Sequence, residues 1–187
     1  MRKKLTGFLI AVYLLAGCSS GGGVDGAGGV GTTRVGEFLL AASLVTPAIV
    51  DVGCTGEEIA ETVRGTFRIT LINIESTTGD LFPSGIIVES YTTSYNPQTS
   101  GAPPLASRTF GDSQVTINGD SLVLAVVIAD TQTIREYNGK TGGRPESYVI
   151  TVRARGRGLS GEAFSITANS ISEFRGGCAE EEEEAPA

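Results

Sequence analysis

Ser147-Tyr148-Val149-Ile150-Thr151-Val152-Arg153-Ala154-Arg155 places Tyr148, Ile150, Val152 and Ala154 on one side and Ser147, Thr151, Arg153 and Arg155 on the other. Successive side chains of a strand point to opposite faces, so this stretch predicts a strand with one face in a core and one in water. That half-buried pattern belongs to an antiparallel sheet, because parallel sheets are covered on both faces. A glycine-rich turn at 156–161 follows, and 162–174 pairs back with Phe164, Ile166 and Ala168 inward.

Upstream, 63–75 alternates through Val63, Gly65, Phe67, Ile69 and Leu71, then changes phase to Ile72 and Ile74. Such a change marks a bulge or bend. The segment 86–95 is β-branched and aromatic, with Ile87, Tyr91 and Tyr95 on one face, read as core rather than as an exposed ladder. A loop rich in Pro, Ser and Gly at 96–106 ends it. Residues 114–118 form a short strand with Val115 and Ile117 inward, Asn118-Gly119-Asp120 signals a hairpin, and 122–129 returns as an unbroken apolar run. A run with both faces apolar predicts a central strand. Residues 44–52 read as a strand bent at Pro47, 34–42 as a short helix or edge strand, 131–137 as a strand or irregular crossover, and 138–146 as loop.

Seven or eight short strands without a long helix predict an all-β fold, an antiparallel β-sandwich with immunoglobulin-like topology. A small β-barrel is the alternative, since periodicity fixes strands and not their order.

The chain begins Met1-Arg2-Lys3-Lys4, followed by an apolar run of 11 residues at 5–15. A cationic start, a short apolar centre and small residues after it have the form of a secretory signal. The run is too short for a membrane span, which needs roughly 18 to 20 apolar residues. Leu15-Ala16-Gly17-Cys18 resembles the bacterial lipobox, which implies cleavage before Cys18, a diacylglyceryl thioether on its sulfur and an N-acyl group. An ordinary signal peptide that leaves Cys18 beside its cleavage site is the alternative. In lipoproteins of diderm bacteria, Asp after the cysteine favours inner-membrane retention. Ser19 stands there, so the resemblance points to the outer membrane. The wider architecture resembles uncharacterised small envelope lipoproteins with an immunoglobulin-like domain.

The implied organisation is a signal peptide at 1–17, a lipidated cysteine and glycine-rich tether at 18–33, the sandwich at 34–178 and a disordered acidic tail at 179–187. The chain has three cysteines. An odd number in an exported protein leaves one thiol without an intramolecular partner, and lipidating Cys18 leaves Cys54 and Cys178 to pair as a disulfide. In the chain-entropy treatment a loop of that length stabilises by roughly 5 kcal/mol.

Removing the signal takes the formal charge from −7 to −10, and five negatives lie in the glutamates at 180–184. This gives no electrostatic case for nucleic acid or anionic lipid, and leaves the lipid anchor as the membrane contact. The chain has no histidine, which removes Ser-His-Asp chemistry and most zinc sites. Gly119-Asp120-Ser121-Leu122 spells the block of the GDSL hydrolases, but nothing activates Ser121. Gly26-Ala27-Gly28-Gly29-Val30-Gly31 matches G-x-G-x-x-G inside the tether, where no strand precedes it. There is no C-x-x-C and no D-x-D-x-D-G run. Asp80, Glu89, Asp112, Asp120, Asp130 and Glu136 offer carboxylates for glycoside hydrolysis, and their spacing selects no pair.

No catalytic residue, cofactor or metal ligand is therefore expected. Arg153, Arg155 and Arg157 form a basic row on an exposed strand face, a strip for an anionic partner or a dock for the glutamates at 180–184. The expected function is a non-enzymatic envelope module that binds or braces a protein or glycan. A small carboxylate-based carbohydrate-active or metal-dependent enzyme is the alternative.

Overall fold

The alternation around Ile150 extends over 13 residues as the central strand of the larger of two sheets. The computed structural model describes residues 29–35, 38–53, 62–72, 86–114, 121–158 and 161–176. In chain order the described elements are β1 (Gly31–Val35), β2 (Phe38–Val45), β3 (Ile49–Asp51), β4 (Val63–Ile72), β5 (Ile86–Pro97), β6 (Arg108–Gln114), β7 (Ser121–Ala129), α1 (Thr131–Thr141), β8 (Glu146–Gly158) and β9 (Ala163–Arg175). One sheet has the order β1-β2-β4-β7 and the other β3-β9-β8-β5-β6. All neighbours are antiparallel except β3 and β9, which run parallel.

This is an all-β sandwich. Counted from β2, the first, second and fifth immunoglobulin strands share one sheet as β2, β4 and β7, and the last, sixth and third share the other as β9, β8 and β5. β3 carries the first strand across to the second sheet, and β1 adds an outer edge. Inward residues of both sheets form one core, with Leu40, Phe67 and Leu124 on one side and Ile150, Val152 and Ile166 on the other, all at most 2 % exposed.

Several expectations change. The apolar run at 122–129 becomes β7, which lies at a sheet edge and not centrally. The strand and turn expected at 114–120 lie outside the described residues except Gln114, which ends β6 in the sheet that does not contain β7. Residues 131–141 are a helix. Asp130 caps it by accepting the Thr133 N–H at 2.7 Å, and Gly142 ends it at φ 63° with its N–H on the Asn138 carbonyl. Its buried side is Thr133, Ile134, Tyr137 and Thr141, a helical spacing. Within β5, Val88 faces Gly156 while Ser90 faces Arg155, so Glu89 is an extra residue. This bulge flips the phase: Tyr91 and Tyr95 point inward with Thr93, whereas Ile87 is only half-buried and stands across from Arg157.

β1 begins at Gly31, inside the stretch expected as tether. The last glycine of the G-x-G-x-x-G match has a packing reason: a Cβ on Gly31 would lie 1.7 Å from the Thr167 carbonyl oxygen of β9. Cys18, Cys54, Cys178, Ile74, Val115, Ile117, Asp80, Asp120 and the tail at 179–187 lie outside the described residues.

Candidate functional site

The register of the five-stranded sheet determines what its outer face presents. Arg153 of β8 has Thr92 of β5 on one side and Thr167 of β9 on the other; Arg155 has Ser90 and Ser165. One strand further out, Thr109 of β6 stands beside Thr92, and their hydroxyls lie 2.9 Å apart. Beyond Arg153, Thr151 has Ser94 and Asn169 as neighbours. The middle of this face is therefore two guanidinium groups in a field of hydroxyls, with no carboxylate and no large apolar side chain in those rows.

Arg153 and Arg155 are exposed and make no ion pair among the described residues. Arg157 differs. The bulge at Glu89 brings its carboxylate to 3.1 Å from the Arg157 guanidinium, so the third member of the predicted row is paired. The buried face beneath is Val152, Ala154 and Ile166, which fixes the strands that carry the two free arginines.

The glutamates at 180–184, the other occupant expected from the sequence, lie outside the described residues.

Of the carboxylates singled out from the sequence, Glu89, Asp130 and Glu136 have described side chains, and each has a structural partner. Glu136 bonds Lys140 at 2.7 Å, the Ala106 N–H at 3.3 Å and Arg108 at 3.4 Å, tying the loop before β6 to α1. The Lys140 bond, against the opposing effect of partial burial, holds this carboxyl below its usual range. Asp130 is also lowered: burial opposes ionisation, and the Thr133 N–H and hydroxyl outweigh it. Among the described residues no group of three or more His, Cys, Asp or Glu is placed to hold a metal ion. Ser121 starts β7 opposite Thr70.

The tyrosines are core groups. Burial pushes Tyr95 and Tyr148 each up to about 12, and raises Tyr137 as well. Tyr95 donates to the Ile128 carbonyl at 2.7 Å, Tyr148 to Pro103 at 2.9 Å, and Tyr137 to Phe174 at 2.6 Å and to Arg144. Tyr91 accepts the Val127 N–H at 2.9 Å and stacks on Phe110 with ring centroids 5.1 Å apart.

The sequence reading found the arginines from their period and missed the hydroxyls beside them. Ser90, Thr92, Ser165 and Thr167 become neighbours of Arg153 and Arg155 only through strand register. Among the described residues no helix is long and apolar enough to cross a membrane. Compared with known proteins, the chain matches no family model, no curated protein and no solved structure.

Proposed function

We propose that this protein is a lipid-anchored envelope module, exported and held at the outer membrane through Cys18, that binds or braces a protein or glycan partner without catalysis. The observation that carries this reading is the outer face of the β3-β9-β8-β5-β6 sheet. It presents Arg153 and Arg155 among hydroxyls and without an ion pair among the described residues, while Glu89, Asp130 and Glu136 are each engaged elsewhere. The anchor itself rests on Leu15-Ala16-Gly17-Cys18 and on the apolar run before it.

A Cys54–Cys178 disulfide belongs to the same reading. Asp51 of β3 pairs in parallel with Arg175 of β9, and the Val52 N–H reaches the Arg175 carbonyl at 3.0 Å. Each cysteine stands three residues beyond its member of that pair. Peptide mapping without reductant should return the two cysteines in one linked peptide.

The test of the whole reading has two parts. Cys18→Ser should move the protein from the membrane fraction to the soluble one, and membrane retention would overturn the anchor. Crosslinking the lipidated protein in its native envelope should capture a partner that is lost when Arg153 and Arg155 are replaced. Recovery of the protein alone would overturn the binding role.

A further inference from the structure

We infer that the ligand of this face is an anionic polysaccharide, held by the guanidinium groups of Arg153 and Arg155 and by the hydroxyls that flank them; this rests on the binding-module reading above. The spacing of the two arginines and the neighbours that flank them lead to it. Arg153 and Arg155 are two residues apart on one strand, so their Cα atoms are about 6.8 Å apart and both side chains leave the same face. Their cross-strand neighbours are Thr92, Thr167, Ser90 and Ser165, so no carboxylate in those rows competes for either group.

A guanidinium offers a planar fork of donors that fits carboxylate or sulfate, and a hydroxyl both donates and accepts, as sugar hydroxyls do. A protein partner is disfavoured, because protein interfaces centre on buried aromatic or aliphatic anchors and these rows contain none. Val149 and Ile171 are paired with one another nearer the Glu146 end of β8, outside these rows.

The rest of the chain sharpens the inference. With a formal charge of −10 once the signal at 1–17 is removed, the protein repels polyanions at long range, so binding requires local contact and weakens within a short span of added salt. The arginines of the other sheet, Arg34 and Arg68, serve as internal controls, since Leu39, Ser43 and Val123 are their cross-strand neighbours.

The experiment uses the full-length lipidated protein in detergent, run through gels containing dextran sulfate, unmodified dextran or poly-glutamate at low and moderate salt. Dextran sulfate should retard the protein in a salt-sensitive way, and Arg153→Gln/Arg155→Gln should weaken this roughly tenfold. Arg34→Gln/Arg68→Gln should leave it unchanged. A matched thermal midpoint shows that the double variant is folded, and Arg153→Lys/Arg155→Lys, which keeps the charge and loses the fork, should fall between. No retardation by dextran sulfate, or equal retardation of the Arg153/Arg155 variant, overturns the inference. Poly-glutamate bound as tightly overturns its glycan part. Unmodified dextran bound equally well, and lost in the variant, overturns the need for charge while leaving the glycan-binding module standing.

Discussion

The two sheets of this sandwich meet along two seams, and only the first adds main-chain bonds to side-chain ones. On one side β9 meets the first strands through main chain and side chains together: Asn169 N–H on Gly29 O at 3.3 Å, Gly29 N–H on Asn169 Oδ1 at 2.6 Å, and Ser172 Oγ donating to Thr46 Oγ1 at 2.8 Å and to the Pro47 carbonyl at 2.7 Å. On the other side β5 meets β7 through side chains. Thr93 donates to the Val127 carbonyl at 2.8 Å, Tyr91 accepts the Val127 N–H at 2.9 Å, and Tyr95 donates to the Ile128 carbonyl at 2.7 Å. A strand at a sheet edge leaves half its backbone groups without a ladder partner, and buried groups of that kind need one. Three hydroxyls from alternate positions of β5 supply it for the end of β7. The first seam combines close main-chain approach with bonds from Asn169 and Ser172, whereas the second depends on three hydroxyls of β5.

Breaking the first seam should have the largest effect. Gly31→Val forces a Cβ into the Thr167 carbonyl, and it should cost about 3 kcal/mol by urea unfolding. If the cost is below about 1 kcal/mol, β1 contributes little to that seam. Hydroxyl deletion in the second seam comes next. Tyr91→Phe or Thr93→Val leaves a buried Val127 backbone group unpaired and should cost about 2 kcal/mol each. Because both serve Val127, the double variant should depart from additivity.

Alkali separates the seams without mutation. The Tyr95 hydroxyl titrates at about 12 when folded, against about 10 in an unfolded chain. Its contribution is complete below pH 10 and is lost as pH rises towards 12, so unfolding monitored there should show a fall of about 2 kcal/mol. Tyr95→Phe should flatten part of that fall, and Gly31→Val should not.

The smallest effect lies outside both seams. Asp130→Ala removes the cap of α1 and should cost about 1 kcal/mol near neutral pH. The folded Asp130 carboxyl titrates below its unfolded value, so its stabilisation is present above about pH 4 and is lost as pH falls further. The variant and the parent should then converge in acid.

Much of this arrangement was legible in residue order, and the exceptions have physical causes. Phe67, Ile69, Ile150, Val152 and Ile166 lie inward, as their alternation requires. The run at 122–129 pointed to a central strand because apolar residues on both faces imply cover on both faces. Here the cover at Val127 and Ile128 includes side chains from the facing sheet, which no local pattern encodes. The bulge at Glu89 changed the phase of β5 and thereby paired Arg157, leaving two of three predicted arginines free. The helix had its signals in Asp130 and Gly142, but it lacks the long apolar stripe that would have made 131–141 conspicuous. The hydroxyl field around Arg153 depends on register between strands far apart in sequence.

The β5 hydroxyls bonded to β7 also bear on self-association. A nine-residue apolar strand at the end of a sheet is a template for a strand from another copy, the usual start of edge-to-edge aggregation. With both backbone groups of Val127 already bonded, an incoming strand would find its ladder stopped after Ala125, with only Ser121, Val123 and Ala125 left to pair. Thr93 and Tyr91 thus act as gatekeepers supplied by the opposite sheet, where most proteins place a charge or a proline on the edge strand itself.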